Sequence, residues 1–173
     1  MERSISTIQI RAAVPSDAAA IASVLQDSFA EYKPLYTDRA FAATTPTIGE
    51  TCQRLSEGPA WVALKNETIV GTASAVQNDH ALYIRGMAIL PVERGQRIGE
   101  MLLHEIERFA HARSCERLLL STTPFLARAI RLYERVGFRI VSEGPRDLFG
   151  TSLFTMAKNL EPSLKSALDA FHP

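Results

Sequence analysis

The sequence has little cysteine and no excess of either charge. Its 173 residues include two cysteines, Cys52 and Cys115, with neither metal-ligand spacing nor a repeated framework around them. We therefore predict two buried thiols in a reduced compartment rather than a disulfide scaffold. The 19 basic and 19 acidic side chains give a formal net charge of zero. Bulk charge thus gives no support for nonspecific nucleic-acid binding.

Long apolar runs and metal-ligand motifs are also missing. No apolar stretch approaches the ~18 residues of a membrane-spanning helix, and residues 1–4 lack a signal-peptide core. His104 and His111 lie on one predicted helix with Arg108 between them, and a cation between two ligands argues against a metal site. We therefore expect a cytoplasmic protein that acts without a metal, a membrane or a nucleic acid.

The composition fits one domain with a substantial core. Hydrophobic residues make up 46% of the chain and charged residues 22%, which is typical of a packed interior. We predict a single domain over residues 1–160. In the tail, residues 161–173, Leu164 and Leu168 have helical spacing, which indicates either a short docked helix or a frayed end.

Hydrophobic periodicity and turn residues predict an α/β fold. We predict helices over residues 17–30, 47–57, 98–110 and 124–136. The predicted strands are 8–11, 60–65, 68–77, 81–90, 117–121, 138–141 and 152–158. Thr47 and Glu50 fit a capping box, Thr123 fits a helix cap, and residues 31–46 and 142–150 are predicted loops. The apolar stripe Ile48, Cys52 and Leu55 should bury one face of the second helix.

The most informative stretch is residues 90–99, Leu-Pro-Val-Glu-Arg-Gly-Gln-Arg-Ile-Gly, which join a predicted strand to a predicted helix. Gly95 and Gly99 allow the chain to curl tightly and to bring its amides close to a ligand. The unpaired amides and the dipole at the start of a helix attract phosphate. Arg94 and Arg97 add two charges that suit a pyrophosphate. The alternative is a solvated connection, because short glycine patterns are common.

Two further features point to a site near this turn. Gly86 interrupts the fourth predicted strand, where it indicates a bulge or the point at which the sheet opens, or else a glycine that the strand merely tolerates. Tyr32, Tyr36 and Phe41 lie in a predicted loop. These rings could form a substrate wall or anchor a long connection to the core, and both alternatives remain open.

Two segments, with the predicted order of elements around them, resemble the GCN5-related N-acetyltransferase (GNAT) superfamily. Residues 87–99, Met-Ala-Ile-Leu-Pro-Val-Glu-Arg-Gly-Gln-Arg-Ile-Gly, are similar to the family's acetyl-CoA segment. Residues 129–138, Ala-Ile-Arg-Leu-Tyr-Glu-Arg-Val-Gly-Phe, are similar to its later helix that ends in Gly-Phe. The resemblance covers residues 8–160. The family usually has glycine where Arg97 stands and often has asparagine where Leu126 stands.

This resemblance implies a fold and a co-substrate. The fold would be a central mixed, mostly antiparallel twisted sheet of about seven strands flanked by about four helices. The co-substrate would be acetyl-CoA, with its pantetheine arm paired to the backbone of Met87, Ala88 and Ile89. An N–H near Met87 or Ala88 would stabilise charge on the thioester oxygen. The pyrophosphate would be held by Arg94, Gly95, Gln96, Arg97, Ile98 and Gly99.

The implied reaction is attack of a neutral amine on the acetyl carbon, with coenzyme A leaving as a thiol. Tyr133 matches the family tyrosine that is thought to protonate the departing thiolate, and the alternative is a core tyrosine. An amine with a pKa near 10 must first lose a proton. Glu31, Asp79 and His80 are candidate bases by position, each with a surface or capping role as its alternative, and water is a further route.

The acceptor is expected to be a small-molecule amine or a protein amino group, with Tyr32 and Tyr36 as candidate binding residues. Two alternatives stay open: a non-catalytic module that senses acyl-CoA, and an acyltransferase that uses a different acyl group. Exposed strand edges make a homodimer a further expectation.

Overall fold

The computed structural model describes residues 7–162 and has a seven-stranded sheet at its centre. The strands are β1 (Ile8–Ala12), β2 (Ala60–Lys65), β3 (Thr68–Asn78), β4 (Ala81–Ile89), β5 (Arg117–Thr122), β6 (Arg139–Val141), β7 (Asp147–Leu148), β8 (Thr151–Ser152) and β9 (Phe154–Asn159). The helices are α1 (Ala18–Phe29), α2 (Asp38–Thr44), α3 (Ile48–Glu57), α4 (Ile98–Ala112) and α5 (Ala127–Arg135). The predicted tail helix lies outside the described residues.

The sheet is mixed and mostly antiparallel, as expected. Its strand order is β1-β2-β3-β4-β5-β9-β6, and β7 pairs with β8 in a separate hairpin. Neighbouring strands of the large sheet run antiparallel except β4 and β5, which run parallel. None of the helices within residues 7–162 has the length and apolar character needed to cross a membrane.

Helices cover both faces of the sheet. On one face, α4 buries Ile98, Leu102 and Ile106 against a large apolar cluster. On the other face, α1 buries apolar residues such as Leu25 against a smaller cluster that contains Val62. Each fully buried side chain of this size stabilises the fold by about 1.5–3 kcal/mol. The two layers hold β4 and β5 in a fixed position between them.

Two predicted loops contain structure that the sequence pattern did not reveal. The segment 31–46 holds a 3-10 helix (Ala30–Leu35) and α2, whose first turn is capped by Thr37 Oγ1 accepting from the Ala40 amide at 3.2 Å. A helix of seven residues is too short to show a clear period. The segment 142–150 contains β7 and leads into β8, and the final long strand begins at Phe154 rather than at residue 152.

The capping box at Thr47 and Glu50 is confirmed, but the predicted buried stripe of α3 is wrong. Ile48 is 55% exposed and Cys52 is exposed, whereas Thr51 is buried. Helix α3 packs on α1 with a face rotated from the predicted one, and that face includes Thr51, Arg54 and Leu55. The other thiol, Cys115, is buried as expected.

The predicted start of α5 is also wrong. The helix begins at Ala127, and Thr123 belongs to the preceding turn, in which the Leu126 amide donates to its carbonyl at 3.2 Å. The Thr123 side chain therefore does not cap the helix. Gly137, with φ of +106°, ends the helix as predicted.

Candidate active site

The sheet opens between its two parallel strands. Residues 81–84 of β4 pair with residues 117–120 of β5, and the pairing stops there. Beyond this point β4 pairs with β3 alone, while residues 121–122 of β5 pair with β9 alone. The β5-facing backbone of residues 85–89 therefore has no strand partner, which makes it a template for an extended ligand.

A bulge in β4 lies at the point where the sheet opens. The register places Ser74 opposite Arg85 and Thr72 opposite Ala88, so that two residues of β4 oppose one residue of β3. Gly86 is one of these two and has φ of +59°, in the left-handed region that favours glycine. The predicted bulge is confirmed. A bulge bends the strand that carries it, and this one lies just beyond the last residue of β4 that pairs with β5.

The opening holds a cavity of about 610 Å³, a size that suits a small-molecule site. Its walls come from β4, the end of β5, the start of α4, the helix α5 and the segment 28–44. The predicted site residues among its lining are Tyr32, Tyr36, Met87, Ala88, Ile89, Arg94, Gly95, Arg97, Ile98, Gly99 and Tyr133. Of the predicted set, Gln96 is not among the lining residues; its side chain bonds to Glu93.

The turn before α4 has the geometry of an anion site. Gly95 has φ of +84° and Arg97 has φ of +62°, so Arg97 itself adopts the left-handed conformation at the position where the related family usually has glycine. The amides of residues 95–99 donate to no acceptor within residues 7–162, whereas the Arg94 amide donates to the Pro91 carbonyl at 3.4 Å. These free amides lie at the positive end of a 15-residue helix.

The two arginines of this turn have carboxylate partners. Arg94 donates to Glu31 and, at 3.1 Å, to the Ser28 carbonyl, so its guanidinium connects the turn to the end of α1. The Arg97 side chain is 80% exposed and pairs with Glu100 at 2.7 Å. Arg94 therefore forms part of the cavity wall. Arg97 lies at the rim, where its side chain remains accessible to a ligand.

None of the three predicted general bases places an unpaired side chain in the cavity. Glu31 is paired with Arg94. Asp79 and His80 line a different groove, at the turn between β3 and β4. Among the described residues that line the cavity, the carboxylates are Glu93 and Glu100, and each forms an ion pair: Glu93 with Lys65 at 2.6 Å and Glu100 with Arg97 and Arg135.

Tyr133 lies at the inner end of the cavity, on α5. Burial, with a smaller contribution from the charge of Tyr36, raises its pKa to about 12. The phenol therefore keeps its proton at neutral pH and can act as a hydrogen-bond donor. Its ring packs on Phe138 at 5.8 Å between centroids, which fixes its direction.

The aromatic residues of the segment after α1 pack on one another at the cavity wall. Phe125 lies 4.9 Å from Tyr36 and 6.2 Å from Tyr32 between ring centroids. Burial raises the pKa of Tyr36, and the hydroxyls of Thr123 and Thr44 act in the opposite direction. The two tyrosines therefore anchor the segment and also present their rings to the cavity.

Several lining residues were not identified from the sequence. Arg128, Arg131 and Arg135 recur on one face of α5, and this helical spacing was the available signal. Arg54 and Arg85 come from α3 and β4 and carry no such signal. Among the described residues, seven arginines and two glutamates line the cavity, so the site favours a polyanionic ligand.

These features define an acyltransferase fold with an open strand edge beside a helix N-terminus. Residues 19–138 match the Acetyltransferase (GNAT) family, and the chain belongs to that family. It is 31% identical over 128 residues to the uncharacterized N-acetyltransferase YjgM of Escherichia coli (strain K12), a match that covers 70% of this chain and 76% of that protein. It is 34% identical over 91 residues to an IAA acetyltransferase of Azospirillum brasilense, which covers 51% of this chain and 58% of that protein.

Solved structures agree on the fold. The PaiA N-acetyltransferase of Thermoplasma acidophilum in complex with coenzyme A is 17% identical, with a TM-score of 0.74 over 89% of this chain and 99% of that one. The acetyltransferase yncA of Salmonella typhimurium with acetyl-CoA is 21% identical, with a TM-score of 0.70 over 91% of this chain and 96% of that one. At these identities the likeness shows a shared fold.

Proposed function

We propose that the protein transfers an acetyl group from acetyl-CoA to a primary amine by direct attack. The observation that carries this proposal is the opening between β4 and β5, which leads from the unpaired β4 backbone to the free amides at the start of α4. Extended ligands bind to such strand edges, and phosphates bind to such helix ends. Two solved structures of the same fold contain coenzyme A or acetyl-CoA, which supports this choice of ligand.

In this proposal, coenzyme A spans the cavity from rim to interior. The pantetheine arm pairs with the backbone of Met87, Ala88 and Ile89, and the Ile89 carbonyl already accepts from Ser28 Oγ at 3.0 Å. The amides of residues 95–99 hold the pyrophosphate. Arg97 and the arginines of α5 add positive charge on the same side, where a nucleotide phosphate can reach them.

The chemistry follows from the groups around the thioester. The amine nitrogen attacks the acetyl carbon, the charge on the oxygen is stabilised by an N–H near Met87 or Ala88, and the C–S bond then breaks. Tyr133 gives its proton to the departing thiolate, and its phenolate then takes a proton back from water. Since the cavity carboxylates are paired, the ammonium proton leaves through water at the open mouth of the site.

A second candidate is a module that binds acyl-CoA without turnover. Glu93 and Glu100 are both paired, and the described lining residues include no histidine or aspartate; this absence of a free base favours the second candidate. Calorimetry with coenzyme A combined with a thiol-release assay over a panel of amines separates the two. Binding without thiol release supports the sensing module, whereas thiol release that requires an amine supports the transferase. Mass spectrometry of the bound thioester identifies the acyl group.

A further inference from the structure

Two arginines face the cavity from different elements, away from the turn before α4. Arg54 lies on α3, and Arg85 lies on β4 directly before the Gly86 bulge. Arg54 Nη2 donates to the Ala43 carbonyl at 2.8 Å, and no carboxylate within residues 7–162 forms an ion pair with Arg54. Arg85 pairs with Glu57. One guanidinium at this end of the cavity thus lacks an anionic partner.

Arg85 also holds a buried polar atom without a partner. Within residues 7–162, its Nε–H is buried and donates to no acceptor, and the residue lines the cavity. Buried polar groups without a partner are rare in native proteins, and one in a cavity points to a ligand that completes it.

The carboxylates near these two arginines are already engaged elsewhere or with Arg85. Glu57 pairs with Arg85, and Glu50 caps α3 through Thr47; both act on Arg54 through their charge without forming an ion pair with it. Burial and the charge of Arg85 lower the pKa of Arg54, while Glu50 and Glu57 act in the opposite direction. The guanidinium keeps its proton in proteins, so Arg54 offers a positive charge to an anion in the cavity.

We propose that the acceptor amine carries a carboxylate, which Arg54 and Arg85 bind while the amine faces the thioester. This inference rests on the proposed acetyl transfer. Arginine binds carboxylates in a planar, two-point manner, and it does so most strongly where water is partly excluded. Arg85 and Met87 lie two residues apart on β4, on either side of the Gly86 bulge. That spacing suits a compact acceptor, such as an amino acid, whose amine and carboxylate are a few bonds apart, and it disfavours polycationic amines.

The test compares each acid with its own amide. Thiol release is measured with L-leucine, L-phenylalanine, L-methionine and L-glutamate and with the α-amide of each. In at least one pair, we expect kcat/KM to be about tenfold or more higher for the acid, since the amide differs mainly in the absence of the α-carboxylate. Arg54→Gln should reduce this ratio of acid to amide about tenfold, and Arg54→Lys should restore part of it.

Glu57→Gln is a matched variant with the opposite expected effect on binding of the acid. It removes the carboxylate that competes for Arg85, so KM for the acid should fall about two- to fivefold while KM for the amide changes less. If the two arginines had a purely structural role, Glu57→Gln would not lower KM for the acid. Thermal melting of each variant checks that the fold is kept.

The outcomes separate this inference from the proposed function. Equal kcat/KM for the amide and the acid in all four pairs would overturn the carboxylate assignment and leave acetyl transfer intact. An Arg54→Gln variant that lowers kcat/KM equally for the acid and the amide would do the same. No binding of coenzyme A and no thiol release would overturn the proposed function itself. If coenzyme A binds without turnover, titration of the loaded protein with N-acetyl-L-phenylalanine and its amide applies the same comparison. If the protein binds N-acetyl-L-phenylalanine and its amide with equal affinity, or binds neither, the inference is contradicted.

Discussion

The guanidinium of Arg94 donates to Oε1 of Glu31, and this contact ties the turn before α4 to the segment that follows α1. The wall that carries the aromatic residues and the turn that carries the free amides are thereby joined across the mouth of the cavity. Any anion that binds to Arg94 must compete with Glu31. Under the proposed function, the pair links the strength of phosphate binding to the position of the aromatic wall.

The Arg94–Glu31 pair can be tested by opposite substitutions. Arg94→Ala should weaken coenzyme A binding by about three- to tenfold at low salt, because it removes a charge beside the phosphate turn. Glu31→Gln should strengthen binding by a smaller factor, because it frees the same guanidinium. Calorimetry at low salt measures both. Equal affinity of wild type and Arg94→Ala would remove Arg94 from the phosphate site.

Tyr133→Phe tests the proton donor. Loss of the hydroxyl should lower kcat by about tenfold or more, a typical effect of removing a general acid, and should leave coenzyme A affinity nearly unchanged. Tyr32→Phe serves as the comparison, since its ring lies on the acceptor wall and we expect a change in KM for the amine rather than in kcat. Unchanged turnover in Tyr133→Phe would exclude its hydroxyl from the mechanism.

The pH dependence follows from the same phenol. Because burial raises the pKa of Tyr133 to about 12, kcat/KM should rise with pH as the acceptor amine loses its proton and should show no falling limb below about pH 11. Initial rates between pH 6 and 10 check this. A falling limb with an apparent pKa well below 10, in protein that remains folded, would show that a different acid gives the proton.

The stability of the protein should depend on pH through this group as well. The pKa of Tyr133 is higher in the folded state than in the unfolded state, where a tyrosine titrates near 10. The neutral buried phenol thus contributes full stability below about pH 10, and this contribution is lost as the pH rises towards about 12. Chemical denaturation should show a smaller loss over this range in Tyr133→Phe than in wild type.

Gly99 is a packing position as well as part of the proposed phosphate site. A Cβ added there would lie 2.5 Å from Leu132 Cδ2 of α5, so Gly99→Ala should destabilise the fold by about 1–2 kcal/mol as Leu132 shifts. Gly49→Ala is the control, because a Cβ on that residue of α3 meets nothing within 4 Å. Because alanine has a higher helix propensity than glycine, Gly49→Ala should be as stable as wild type or more stable. Urea denaturation compares the two, and equal stabilities would contradict the close packing of α4 and α5.

The sequence predicts the parts of the site whose determinants are contiguous. The turn at residues 90–99 combines a strand end, Gly95 and a helix start within ten positions, and all of these are local signals. The expected curl at Gly99 is wrong, because Gly99 lies in α4 and Arg97 takes the second positive φ of the turn. Gly86 likewise marks its bulge by itself. The order of strands and helices follows from periodicity, which is strong in long elements such as α4.

The end of the cavity at Arg54 is not predictable in the same way, because its residues are brought together by packing. Arg54 faces the cavity only because α3 turns its Thr51 face, and not its Ile48 face, towards α1. Thr123 before a proline is typical of a helix start, yet the helix begins at Ala127 and Thr123 is buried at the cavity. Neither the rotation of a short helix nor the late start of α5 leaves a pattern in the sequence.

The binding of coenzyme A to the opened strand and the α4 turn is the central claim, and calorimetric titration of the protein with coenzyme A tests it most directly. The account predicts one site per chain with a dissociation constant of about 1–100 µM, weaker binding as salt increases, and a raised melting temperature. No heat of binding at any salt concentration, together with an unchanged melting temperature, would contradict it.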